Sequence, residues 1–203
     1  MTATSTPLPQ SIGDTIRYRE ARHPDKVAIS YQGQSITWSA LADRARALAS
    51  ALTASGVGSQ DHVAFLEKNS VEFFEFTFGC GLVNAINVSV NWRLAPQEIL
   101  YTVNDARAKV LIVGPDFFPA VEAIEKELTT VTTIVAVGDH PRWIHYEDWL
   151  SAQPATDPGA PSAAGDISIQ LYTSGTTGLP KGVMLSNANL FTVLGNMGEP
   201  WSF

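Results

Sequence analysis

Residues 173–181 read TSGTTGLPK: four hydroxyl side chains (Thr173, Ser174, Thr176, Thr177) and two glycines (Gly175, Gly178) in six consecutive positions, closed by Lys181. Such a strip suits a polyphosphate. Glycine visits φ > 0 freely, so successive backbone N–H groups can converge on one anion. Hydroxyls add donors of adjustable direction, and a lysine ammonium offsets the charge of outer phosphates. A polar hairpin loop is the alternative that composition alone supports. Two features argue against it. Hairpin connections usually run about two to five residues, and Lys181 is the only Lys or Arg beyond Arg142. The segment is not a Walker A loop, which needs four residues between its first glycine and Gly-Lys, then Ser or Thr opening a helix. Here two residues separate Gly175 from Gly178, and Lys181 leads into strand-like GVML (182–185). An anion would rest on loop amides and hydroxyls rather than on a helix dipole.

The flanking elements must position that loop. Ile167, Ile169 and Leu171 alternate as a strand leading into it, 182–185 reads as a strand leaving it, and 187–197 as a helix. Upstream, 14–23 predicts a short helix stopped before Pro24. A hairpin is expected over 27–38, turning at Gln32-Gly33-Gln34 and resuming with Ile36 and Trp38. Ser39 then reads as the N-cap of a helix with Leu41, Ala45, Leu48 and Leu52 on one face, ended by Gly56. Strand candidates follow at 62–66, 85–90, 109–114 and 132–137, with one helix between each pair. The three helices show Val71, Phe74, Phe78 and Leu82 after a Ser70 cap; Ile99, Leu100 and Val103 after Pro96; and Val121, Ile124 and Leu128. Right-handed βαβ crossovers produce this spacing, so the expected fold is α/β, a largely parallel sheet with helices on both faces. Residues 151–166, SAQPATDPGAPSAAGD, form a Pro/Ala/Gly-rich connector.

Other tempting groups read as structure. GCGLVN (79–84) starts like a dinucleotide fingerprint, but Asn84 stands at the third glycine position and the segment lies in a helix pattern, so close helix packing is expected. Cys80, the single cysteine, reads as a small buried residue. Phe73, Phe74, Phe76 and Phe78 read as a core-facing helix rather than an acyl channel. Trp143, Tyr146 and Trp149 read as an edge packing the connector, and Asp105, Asp116, Glu122, Glu125 and Glu127 as solvated helix faces. His23, His62, His140 and His145 show no ligand spacing, so no protein-held metal is expected. With 203 residues, 45% of them hydrophobic, the chain can bury a core as one large domain or two small ones. Its net charge of −7 argues against a nucleic-acid surface. The start, MTATSTPLPQ, lacks a signal-peptide pattern, and no run approaches the ~20 apolar residues of a membrane span, so a cytoplasmic protein is expected.

LYTSGTTGLPKGVMLSN (171–187) closely resembles the phosphate-binding signature of the adenylate-forming (AMP-binding) superfamily: acyl-CoA synthetases, luciferases and peptide-synthetase adenylation domains. The resemblance extends over about residues 12 to 198, including an Asn-x-Arg-Leu segment (Asn91, Arg93, Leu94), and is most like stand-alone fatty-acyl and related acyl-CoA synthetases. Two departures lie outside the loop. Gln60-Asp61 stands where the family commonly has Gly-Asp, and Ala85 where it usually has Pro. The resemblance implies ATP-dependent activation of a carboxylic, expectedly fatty, acid through an acyl-adenylate, then transfer to coenzyme A. Carried over by position, Thr173, Ser174, Gly175, Thr176, Thr177 and Gly178 would wrap the β- and γ-phosphates, and Lys181 would be the catalytic charge on the leaving pyrophosphate, with Mg2+ sharing the neutralisation. It further implies that residues 1–203 are an incomplete N-terminal portion of the large AMP-binding domain, without the C-terminal domain and inactive alone. The partners implied are the acid, ATP and CoA, and a homo-oligomer is compatible with this reading. The competing reading is a non-catalytic or partner-dependent fragment that keeps only the phosphate loop.

Overall fold

The computed structural model describes residues 8–173 and 179–201. Ser11 caps helix α1 (Ile12–Arg22), its side chain accepting the Asp14 N–H at 3.0 Å, and the helix stops before Pro24. Strands β1 (Val27–Tyr31) and β2 (Gln34–Thr37) form a separate antiparallel hairpin. Gln32 and Gly33 make its turn with φ of +47° and +80°. Two left-handed residues match the twist of a two-residue hairpin, so Gln34 joins the strand. Helix α2 (Trp38–Ala54) follows without a spacer. Thr37, not Ser39, is its N-cap, accepting the Ala40 N–H at 3.2 Å, because the Trp38 and Ser39 N–H groups bond back to the Lys26 and Pro24 carbonyls. Leu41, Ala45, Leu48 and Leu52 are buried as their spacing predicts, and Gly56, at φ +80°, follows the helix end.

Strand and helix then alternate: β3 (His62–Leu66), α3 (Val71–Val83), β4 (Ile86–Ser89), α4 (Pro96–Asp105) and β5 (Val110–Val113). A 3-10 turn runs into α5 (Phe118–Ile124), then come β6 (Thr133–Ala136), β7 (Ile144–His145) and α6 (Tyr146–Ser151). Beyond residues 152–166, which hold neither helix nor strand, are β8 (Ile167–Thr173), β9 (Lys181–Ser186) and α7 (Asn187–Trp201). Among the described residues the main sheet has the order β7-β6-β5-β3-β4-β8-β9, with every neighbouring pair parallel except β8–β9. Alternation along the central strands divides the core. Val63, Phe65, Val110 and Ile112 pack with α1, α2, α3 and α6, whereas Ala64, Leu66, Leu111 and Val113 pack with α4 and α5. Cover on both faces explains why these strands read as continuous apolar runs.

Helix α3 is rotated from its sequence pattern. Phe74 is exposed, and the buried residues are Glu75, Phe76, Gly79, Cys80, Leu82 and Val83. Glycines set this orientation. A Cβ on Gly79 would lie 2.4 Å from Leu48 Cδ2, and one on Gly81 2.8 Å from the Gly13 N, so the small residues turn toward α2 and α1. That is the close packing expected of 79–84. Burial pushes the Cys80 thiol well above its ordinary range. Glu75 is buried with partners: Arg44 Nε and Nη2 donate to its two oxygens at 2.8 and 3.0 Å, and the Tyr146 hydroxyl donates at 2.8 Å.

Several readings of the third quarter of the chain are corrected. Tyr146 and Trp149 belong to the α1–α2–α3 core and Trp143 to the α4–α5 side, not to an edge beneath the connector, because each finds a polar partner while burying its ring. Trp149 donates to Ser55 Oγ and Trp143 to Glu125, both at 3.1 Å. The connector lies over α1 and α2 instead: Arg17 Nε and Nη2 donate to Asp157 at 2.6 and 2.7 Å, and Ser50 donates to the Thr156 carbonyl at 3.3 Å. Leu128 falls beyond α5, after a second 3-10 turn, Glu125–Glu127. The acidic residues Asp116, Glu122 and Glu127 are exposed as expected and Glu125 is half-buried; Glu122 and Glu125 also pair with Arg142 at 3.3 and 2.8 Å, and Asp116 with Lys68 at 2.6 Å.

Candidate functional site

Thr173 is the last residue of β8 and Lys181 the first of β9, and the antiparallel register sets them directly opposite each other. Both are exposed, and Lys181 makes no ion pair among the described residues. Ser174, Gly175, Thr176, Thr177 and Gly178 lie outside the described residues. Because β8 runs parallel to β4, Thr173 emerges at the carboxyl end of the sheet. Ligands of open α/β sheets sit outside that end. A hydroxyl and an ammonium standing there on facing strand ends suit phosphate oxygens. Among the described residues no three His, Cys, Asp or Glu side chains converge to hold a metal ion. The described donors therefore fit magnesium only as a companion of bound phosphates, which leave it few protein ligands to need.

The loops after β3, β4 and β5 reach the same end. Lys68 pairs with Asp116 across two of them. Arg93 stacks over the Trp92 ring at 4.1 Å, with Lys68 Nζ 5.6 Å from the same ring. Asn91 Oδ1 accepts the Arg93 N–H at 3.0 Å, which fixes the turn, while Leu94 packs into the α4–α5 side of the core. Burial raises the Glu67 carboxyl, whose Oε2 lies where a Gly114 side chain would start.

Strand β8 is turned opposite to its apolar alternation. Ser168 and Gln170 are buried, Ile167 and Ile169 are half-buried, and Leu171 is exposed. Ile169 instead lines an open groove of about 590 Å³ with Ile12, Phe73, Phe74, Phe78 and Leu185. On the inward face, Gln170 Nε2 donates to the Tyr172 hydroxyl at 3.0 Å, and Tyr172 donates to Asp105 Oδ2 at 2.6 Å. Asp105 is exposed on its helix, as expected, and is also a partner of the site strand. Burial, and then the bond to Asp105, push the phenol well above its ordinary range, so it stays a neutral donor. Burial also lowers His62, against a hydrogen bond with Gln170. Sequence reasoning missed Gln170, Tyr172 and Gly182. The available signal was a run of polar residues at 168, 170 and 172, in step with one another and out of step with the isoleucines.

A family model described as AMP-binding enzyme matches residues 16–202. A fatty acid–[acyl-carrier-protein] ligase from Streptomyces coeruleorubidus is 33% identical over 199 residues, covering 96% of this chain and 37% of that protein. A long-chain-fatty-acid–CoA ligase from Thermus thermophilus is 39% identical over 158 residues, covering 76% of this chain and 28% of that protein. Among solved structures, the anthranilate CoA ligase AuaEII in complex with anthranoyl-AMP superposes with a TM-score of 0.86 at 30% identity, covering 99% of this chain and 38% of that one. The chain therefore spans about a third of the length of the proteins it matches.

Proposed function

Since the chain belongs to the AMP-binding enzyme family, we propose that it serves ATP-dependent activation of a carboxylic acid, followed by transfer of the acyl group to coenzyme A. The observation that supports this reading is that Thr173 and Lys181, which bracket the hydroxyl-and-glycine strip in sequence, stand on facing strand ends at the carboxyl edge of the sheet. In the first step a carboxylate oxygen attacks the α-phosphorus of ATP. The bond from that phosphorus to the bridging oxygen breaks, and pyrophosphate leaves with the electron pair. Thr173, Ser174, Gly175, Thr176, Thr177 and Gly178 bind the β- and γ-phosphates, and Lys181 stabilises charge as it grows on the leaving group. Magnesium, held by the nucleotide's phosphates rather than by the described side chains, would share in neutralising their charge. In the second step the CoA sulfur attacks the acyl carbonyl, AMP departs, and the thiol proton passes to solvent.

A fatty acid is the proposed substrate class, supported by the names of the two relatives above. The anthranilate ligase leaves aromatic acids as the competing class. An acyl-carrier-protein thiol is the second reading for the acceptor, favoured by the relative matched over 96% of this chain. We treat residues 1–203 as an incomplete portion of the catalytic domain, because relatives of the same family are about three times as long. The location proposed is cytoplasmic; among the described residues no helix is long and apolar enough to cross a membrane.

Lys181→Ala tests the reading. In a complete ligase carrying these residues it should slow acid-dependent ATP–pyrophosphate exchange by about 10²- to 10³-fold, the usual loss for one preorganised electrostatic donor. Binding of the acid should change much less. Equal loss of both would make the loop structural. Exchange by the 203-residue chain alone would overturn its incompleteness.

A further inference from the structure

The end of β8 is held in an unusual way. Its ladder to β4 pairs only Ile169 with Asn87 and Gln170 with Val88. Leu171, Tyr172 and Thr173 run on beyond that ladder, paired on the other side with β9, the edge strand of the sheet. Among the described residues, the last rungs before the phosphate loop are therefore a two-stranded projection with no backbone partner beside β8. Two-stranded ribbons are marginal by themselves.

Side chains supply the missing attachment. Tyr172 reaches Asp105, the last residue of α4, at 2.6 Å, and Gln170 donates to the same phenol oxygen at 3.0 Å. Gly182 makes room for both. It is the register partner of Tyr172, and a Cβ there would lie 2.2 Å from Gln170 Nε2 and 3.2 Å from Tyr172 Cζ. A strand glycine commonly marks such a close approach. The residue after Lys181 is thus small because of the residue before Thr173.

We propose that Tyr172, Gln170, Asp105 and Gly182 are positioning residues that fix the alignment of Thr173 with Lys181, and through it the stem of the phosphate loop. The consequence for phosphate binding rests on the function proposed above; the tether itself does not.

Amide hydrogen exchange on the 203-residue chain tests the tether, and calorimetric titration with inorganic tripolyphosphate tests its consequence. Tyr172→Phe and Asp105→Asn should each speed exchange at 171–173 and 181–183 by about three- to tenfold, the span of one net hydrogen bond. Exchange in β3 and β5 and the urea midpoint should hardly move, and tripolyphosphate affinity should fall by a similar factor. Gly182→Ala should have the same effect, and a smaller one in a Gln170→Ala background, because the two sites share one space. Unchanged exchange in both single variants would overturn the proposal. So would faster exchange spread evenly over the sheet, or faster exchange at the stem with undiminished tripolyphosphate affinity. If stem exchange rises but even the unsubstituted chain takes up no tripolyphosphate, the tether stands and the phosphate reading falls.

Discussion

Glu75→Ala should be among the most damaging single substitutions in this fold. The Glu75 side chain is only 5% exposed, and both oxygens are used: Arg44 approaches at 2.8 and 3.0 Å, Tyr146 at 2.8 Å. Through these bonds α3 is joined to α2 and α6. Removing one partner of a buried ion pair costs about 3–5 kcal/mol, because the other charge is left without compensation. Two features of the site move that figure in opposite directions. Arg44 is 33% exposed and keeps Glu147 at 2.6 and 2.7 Å, so water and a second carboxylate soften its loss. Tyr146 is 1% exposed and would be left with its hydroxyl unpaired, a cost of about 1–3 kcal/mol by itself. The expected net loss is about 3 kcal/mol, which for a chain of this size lowers the thermal midpoint by about 6–12 °C.

Reversible urea unfolding of the variant and of the unsubstituted chain measures this directly. Two controls separate the charge from the packing. Tyr146→Phe should cost about 1 kcal/mol, the worth of one hydrogen bond. Arg44→Met combined with Glu75→Leu and Tyr146→Phe, which removes the charge pair and the hydroxyl that bonds to it together, should recover most of the loss, since well-packed apolar residues often replace buried pairs without penalty. A loss below about 1 kcal/mol in Glu75→Ala would put the pair in the range of exposed surface bridges and refute the reasoning.

Two further expectations concern helix packing and pH. Gly13→Ala should cost about 2 kcal/mol as an overpacking change, since the new Cβ meets the rigid Gly81 carbonyl oxygen at 2.5 Å. Gly79→Ala meets Leu48 Cδ2 at 2.4 Å and its Cβ at 3.0 Å, side-chain rather than backbone atoms, and gains helix propensity, so it should cost less than Gly13→Ala; equal losses in urea unfolding would contradict this. The Arg17 guanidinium holds the Asp157 carboxyl below its ordinary range, against the opposing effect of burial. A depressed carboxylate stabilises the fold above its unfolded value of about 3.9 and loses that contribution as pH falls through the lower folded value. The stability gap between the chain and Asp157→Asn should therefore be constant above about pH 5 and close below about pH 3.9. A gap that closes near neutrality would show that another group is responsible.

Much of this architecture was legible because apolar spacing reports burial. The strand at 62–66, the stripe of Leu41, Ala45, Leu48 and Leu52, and the Pro96 helix start all appear where the pattern put them. The strip at 173–181 was legible for a different reason, since its residue types carry meaning without reference to a partner. What escaped were buried polar groups. Glu75 sits among phenylalanines, and its burial is compensated by Arg44, 31 residues away, and by the Tyr146 hydroxyl, 71 residues away. Gln170 and Tyr172 face inward because Gly182 and Asp105 receive them, and a one-dimensional pattern does not show which of two strand faces has such receivers. Phe74 was misplaced for the converse reason: glycines facing α1 and α2 decided the rotation of α3, outweighing the larger apolar residues.

The two departures from the family pattern belong to the same logic. Gln60 adopts φ +62°, a conformation that glycine would enter freely. Its amide offsets the strain: Oε1 accepts the Ile167 N–H at 2.9 Å, while Nε2 donates to the Ile167 and Asn84 carbonyls at 3.1 and 3.2 Å. Ala85, where proline is usual, donates its N–H to the Cys80 carbonyl at 2.9 Å, a bond proline lacks the donor to make. Gln60 thus grips the first residue of β8 from the loop before β3, as Asp105 grips its last turn toward the phosphate strip through Tyr172. Between those points only two residues pair with β4. The strand that carries Thr173 is accordingly fixed at both ends by side chains from neighbouring elements, and its backbone ladder to the rest of the sheet is the shorter part of what holds it.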